Sequence, residues 1–195
     1  MEQRISYGYE ALDAFQKYWD ELSAACRIDR AGDAVAGGAH LVPKRRDFNP
    51  MKLHTHLPDI YITELLSDEQ LLVRLSGTRI DDNAGYVLKG TNFLDICHPT
   101  ERALHVTSFK AMISHPCGVE MTRRIMLSDG RVHQFKSISL PLADREGVPR
   151  FIVGITNVAP NIVYETKVNR SDKLRSQVME FNFVDVGAGV PPKPE

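Results

Sequence analysis

The sequence predicts an α+β domain: a five-stranded antiparallel sheet with small helices and one longer helix on one face, preceded by an N-terminal amphipathic helix. Three observations carry this. Residues 9–26, "YEALDAFQKYWDELSAAC", place Leu12, Phe15, Trp19, Leu22 and Cys26 at alternating spacings of three and four, the period of one helix face. Five short aliphatic or β-branched runs follow, and the connections within the first pair and within the last three are too short for parallel crossovers. Between those two groups lies an irregular, glycine-punctuated stretch that leads into one more helical run.

The N-terminal helix has two heptads of seam, too few for an independent coiled coil, so its apolar edge lies either on the domain's own sheet or against a second copy. Residues 31–43, "AGDAVAGGAHLVP", read as a linker. "DIYITELL" and "QLLVRLSG" form a hairpin in which Leu71, Val73 and Leu75 are expected to share a face. After Gly77, "TRIDDNAGYVLKGTNFLDICHPT" suits small helices and turns. Thr100 is the predicted N-cap of the helix "ERALHVTSFKAMISH", which ends at Pro116 and Gly118 and whose buried stripe is expected at Val106, Phe109 and Ile113. The last strands are "GVEMTRRIML", "VHQFKSISLPLAD" and "PRFIVGITNV", joined by the turns "SDGR" and "REGV". The expected organisation is a helix and linker over 1–43, a core over 44–158, and a partly mobile extension over 159–195 unless "FNFVDV" docks as a strand.

Composition limits the function classes. At 195 residues and 43% hydrophobic, the chain can build a sizeable core. Its 24 Lys and Arg against 25 Asp and Glu create no global field toward nucleic acid or an anionic membrane, and neither is expected as a partner. No run of about 18 apolar residues and no leader-like segment is present, so a cytoplasmic location is expected. Cys26, Cys97 and Cys117 are odd in number and far apart, which suits reduced thiols.

The order of two strands, small helices, a longer helix and three strands, with "RLSGTRIDDNAGYVLKGTNFLDICHPTER" at its centre, resembles a PAS sensor domain. With "RRDFNP", "LPDIYI", "LSGT" and "DVGAG", the chain is similar to the stand-alone PAS proteins of alphaproteobacteria. The stretch after the first helix is longer than the compact link of that family. The resemblance implies a cavity between the sheet and the small helices, with Gly77 turning the backbone away to make one wall. Its candidate lining is Leu75, Phe93, Ile96, Phe109, Met112, Arg123, Ile125, Ile138, Leu140 and Val153. That space is either a ligand pocket or a core filled by Phe93, Phe109 and Met112.

Arg74 and Arg123 are each more simply surface residues than cavity cations. His54 and His56 in "LHTHLP" lack further ligands nearby in sequence, and no metal site is assigned. Cys97 beside His98 near a helix start could be a thiol of lowered pKa, but neighbours in an extended segment point apart, and no catalytic residue is assigned. Flavin-binding light sensors of the PAS class carry Asn-Cys-Arg-Phe-Leu-Gln, whereas Cys97 here precedes "HPTER", so that chemistry is not implied. By the same resemblance His105 is a formal candidate for a haem ligand, but a lone His on an amphipathic helix is more simply a partly buried histidine, and no cofactor is assigned. The function expected is a sensory or regulatory module that binds a small molecule or a protein partner and signals through protein contact or as a homodimer, its candidate interface Leu12, Phe15, Trp19 and Leu22. A small enzyme using Cys97 and His98, or a ligand-free adaptor, are the alternatives.

Overall fold

The computed structural model describes residues 10–29, 42–126, 132–164 and 176–192. Helix α1 spans Glu10–Asp29 and, after a 3-10 segment at Pro50–Asp59, the chain forms β1 (Ile60–Ser67) and β2 (Gln70–Ser76). Helix α2 (Thr78–Ala84), short 3-10 turns at Phe93–Asp95 and Pro99–Glu101, and α3 (Arg102–Ser114) come next. Strands β3 (Cys117–Met126), β4 (Val132–Ala143), β5 (Pro149–Tyr164) and β6 (Ser176–Asp185) complete the order. Most of the linker at 31–43 and the "SDGR" turn lie outside the described residues.

The sheet is antiparallel, in the order β2-β1-β5-β4-β3-β6. It has six strands rather than five, because "SQVMEFNFVD" pairs along nearly the whole of β3, from Cys117 opposite Asp185 to Ile125 opposite Ser176. Alternation in this stretch is blurred because an edge strand half-exposes both of its faces. Asp185 Oδ1 then accepts the N–H groups of Gly187 (2.7 Å) and Gly189 (2.9 Å), whose positive φ only glycine adopts freely, and the turn seats Val186 in the core.

Helix α1 lies across one face of the sheet. Phe15 and Trp19 are fully buried among Ile60, Ile62, Ile138, Leu140, Leu142, Val153 and Ile155, and Trp19 Nε1 donates to the Pro141 carbonyl at 2.9 Å. The expected dimer interface is therefore corrected: Leu12, Phe15 and Trp19 are buried on the chain's own sheet, with Leu22 packed against the same cluster, so no apolar seam remains for a second copy. About 1.5–3 kcal/mol of burial free energy per large side chain favours this arrangement over leaving the seam in water.

Helices α2 and α3 and the 3-10 turns cover the opposite face. Of the expected stripe on α3, Phe109 is buried and Val106 packs half-buried against the same cluster, but the other buried positions are His105, Ser108 and Met112, and Ile113 is only half-buried. Two polar residues on the inward stripe hide it from a hydrophobic pattern. His98, not Thr100, precedes the first turn as its cap, its Nδ1 accepting from Thr100 N at 3.4 Å.

Candidate functional site

Both faces of this sheet are covered, so strand parity decides which residues belong to which layer. On β4, Phe135, Ser137 and Ser139 face the helical layer while Ile138 and Leu140 face α1. On β5, Thr156 faces the helices and Val153 faces α1. In β2 the pairing slips between Ile62–Leu75 and Thr63–Val73, which makes Arg74 an extra, bulged residue. That bulge inverts parity: Leu71 and Val73 face the helices, Leu75 packs with the α1 cluster, and Ser76 returns to the helical side.

Between the sheet and the α2–α3 layer is a cavity of about 360 Å³, inside the usual range of about 300–1,000 Å³ for small-molecule sites. Of the candidate lining, Phe93, Ile96, Phe109, Arg123 and Ile125 are brought to it. Leu75, Ile138, Leu140 and Val153 are corrected to the α1 face, and Met112 packs with Leu71, Val119 and Ile152 beside the cavity without lining it. The space is not filled in the way Phe93, Phe109 and Met112 would fill it. The sequence reading missed Tyr61, Thr63, Ser76, Ser137, Ser139 and Thr156, all of them polar residues on strands. Their signal was the polar half of each alternation, "Y-T" in β1 and "S-S" in β4, which a search for apolar lining passes over.

The walls are built from short-range geometry. Gly77 caps α2 at φ −72, so its role is not a positive φ; a Cβ there would meet the Pro58 carbonyl oxygen at 2.3 Å, and only glycine lets the chain pass this close. An ion pair between Arg79 and the nearly buried Asp59 ties α2 to the same segment. Gly85, at φ 82, ends α2 in the left-handed region. On the floor, Tyr61, Gly154 and Ser139 stand opposite one another on β1, β5 and β4. The absent side chain of Gly154 lets the Tyr61 ring lie across β5, and its hydroxyl meets Ser139 Oγ at 2.7 Å.

Several polar groups here have no hydrogen-bond partner among the described residues. Thr63 Oγ1, Ser76 Oγ, Thr156 Oγ1 and Arg123 Nε are all buried, and all belong to residues that line the cavity. Leaving a buried donor or acceptor unsatisfied costs about 1–3 kcal/mol, so their gathering around one space is informative. Arg123 therefore departs from the surface position expected of it, whereas Arg74 is on the surface, paired with Glu64 at 2.5 Å.

At the α3 end, Glu101 Oε1 accepts the Val178 N–H of β6 at 2.5 Å, and its Oε2 stands 3.8 Å from His105 Nε2, an electrostatic rather than a hydrogen-bonding separation. Burial acts to raise the Glu101 pKa, but His105 and the Val178 N–H outweigh it and the carboxyl lies below its ordinary value. Burial lowers the pKa of His105, with Glu101 opposing and the charge of Arg123 adding to the effect. The His105 ring packs edge-on to Phe93, centroids 5.0 Å apart.

Cys97 lines the cavity, but burial pushes its thiol up, away from the thiolate. Its Sγ donates to the Leu94 carbonyl at 3.5 Å, while His98 Nδ1 is 2.7 Å from Thr100 Oγ1. His54 is exposed and His56 half-buried on the 3-10 segment, not on an extended strand, and among the described residues no group of three or more His, Cys, Asp or Glu is placed to hold a metal ion.

With the sheet order, the helical layer and the cavity described, the sequence itself decides the family: the PAS domain profile matches residues 9–157. The chain belongs to the PAS domain family. No curated protein matches this PAS domain. Among solved structures, it is similar to the Vibrio cholerae VqmA dimer, described with LuxR-type receptors, at 13% identity and a TM-score of 0.46, covering 57% of this chain and 52% of that one. A Rhodobacter sphaeroides LOV protein is 13% identical at a TM-score of 0.42, covering 53% and 60%. The blue-light photoreceptor Aureochrome1 LOV domain is 17% identical at 0.40, covering 62% and 89%. The PAS domain spans about half the length of the VqmA chains it matches. Among the described residues, no helix is long and apolar enough to cross a membrane.

Proposed function

We propose that this PAS domain is a sensory module that takes a small molecule into the cavity between its sheet and α2–α3 and passes the bound state to a protein partner by contact. The observation that carries this reading is the coincidence of an open space of about 360 Å³ with buried Thr63, Ser76, Thr156 and Arg123 atoms that have no hydrogen-bond partner among the described residues. A solvated or ligand-filled cavity satisfies such atoms; a packed core does not. We take the chain to be similar to the alphaproteobacterial stand-alone PAS proteins on the combined strength of "RRDFNP", "LPDIYI", "LSGT" and "DVGAG". Any homodimer must use a surface other than the α1 seam.

Native mass spectrometry of protein from a rich culture, with an absorption spectrum of the same sample, tests this reading. A stoichiometric added mass supports it, and the spectrum distinguishes a colourless organic ligand from flavin or from haem held through His105. Ligand-free protein that also gains no thermal stability from a metabolite extract favours the adaptor reading instead. The same spectra report the mass of the assembly.

A further inference from the structure

Charge around the cavity is one-sided. Arg123 is the only permanent cation among its described lining residues, and no Asp or Glu is among them. Glu101 is near enough for its charge to be felt, but its Oε1 is held by the Val178 N–H and its Oε2 stands toward His105. His105 itself, lowered by burial, adds no positive charge at neutral pH. Arg123 is thus left with a buried Nε that no described residue satisfies. An Nε donor shielded from water and left without an acceptor is costly, and the oxygens of an anion, bound through parallel N–H donors, are the group that best satisfies a guanidinium facing a cavity.

The surroundings of Arg123 restrict the rest of the ligand. Phe135 stands directly opposite Arg123 on β4, and Phe93 and Phe109 meet edge to face across 6.4 Å on the helical side. Two residues further along the sheet, about 7 Å away by strand geometry, Met121, Ser137 and Thr156 stand side by side. Thr156 offers a free hydroxyl there. We propose that the ligand is a small amphipathic carboxylate: its acid group pairs with Arg123, its apolar or aromatic body lies among Phe93, Phe109 and Phe135, and a hydroxyl or carbonyl reaches Thr156. This rests on the reading of the cavity as a ligand site.

Matched probes test it: 4-hydroxyphenylacetate with its amide and with tyramine, and hexanoate with hexanamide and hexylamine, titrated into the full chain while the methyl signals of Ile80, Ile96, Met121 and Ile125 are followed by NMR. The acids should bind about tenfold or more tightly than the amides, and the amines weakest. Arg123→Gln should erase the preference for acid by weakening acid binding about tenfold while leaving amide binding within about twofold, and Arg123→Lys should fall between. Amides or amines that bind as well as the acids, or acid binding unchanged in Arg123→Gln, overturn the carboxylate assignment while leaving the cavity a ligand site. The comparison among wild-type probes does not depend on a variant folding. If none of the probes shifts those methyls, both this inference and the ligand-site reading fall.

Discussion

A methyl group at Gly154 would sit 2.3 Å from Tyr61 Cζ, so the cavity floor depends on a missing side chain. Gly154→Ala must push the Tyr61 ring off β5 and away from Ser139, with an expected loss of about 1–3 kcal/mol in denaturant unfolding. Tyr61→Phe keeps the ring and loses the hydroxyl contact, for about 1 kcal/mol. A Gly154→Ala variant as stable as the parent would mean that Tyr61 does not lie where it is described. His105 supplies a pH dependence at the same scale. Its folded pKa lies below the ordinary 6.5, so between the two values the unfolded chain holds the proton that the folded one does not. This contribution to stability is complete above about pH 6.5 and is lost as pH falls toward the folded pKa. Denaturation midpoints should drop from about pH 7.5 to about pH 5.5, and His105→Leu should flatten that drop. Equal slopes in the two proteins would contradict the buried neutral imidazole.

At the scale of elements, α1 packs on the sheet and β6 pairs with β3 although composition sets both apart from the central strands. Trp19→Ala removes a fully buried ring and its bond to the Pro141 carbonyl, and a loss of about 3–5 kcal/mol is expected. A helix that merely served an interface would tolerate the change in the monomer, so a small loss on thermal unfolding would reopen the seam as a contact surface. Strand β6 is held by its ladder to β3 and by Glu101 on Val178 N–H. Glu101→Ala should cost about 1.5–3 kcal/mol locally and raise amide exchange at Val178 and its β6 neighbours, while the β4–β5 ladder keeps its protection. Uniform loss of protection across the sheet would show that β6 does not open on its own.

For the molecule as a whole, a ligand that binds only the folded state adds stability by mass action, about 2.7 kcal/mol at a hundredfold excess over Kd. In a chain of this size that is a rise of about 5–10 °C in Tm. An acid that binds by NMR and leaves Tm unmoved would have to bind the unfolded chain as well. At the α3 end, Arg123 and His105 line the cavity and Glu101, acting on both, anchors β6. That makes the β6 edge the element to follow when a ligand is added.

The sequence by itself determined the α+β class, the amphipathic α1, the β1–β2 hairpin and the β3–β5 meander, because turn residues and local periodicity act within a few positions of the chain. Of the lining implied by the family resemblance, Phe93, Ile96, Phe109 and Ile125 stand at the cavity, as does Arg123 against the surface position its residue type favoured. Only the tertiary structure decided which face of the sheet receives α1 and which encloses the cavity. Strand β4 is buried from Ser137 to Ala143 on both sides, so its pattern has no wet face to reveal a direction, and the bulge at Arg74 inverts β2 between Val73 and Leu75 without a residue type that announces it. The docking of α1 was likewise undetermined by its seam, since an apolar helix edge fits its own sheet and a second copy equally well until the shape of the sheet is known. Polar lining was the least legible part: a threonine or serine on a strand looks the same facing water or facing a ligand, and the difference lies in what the other layers place above it.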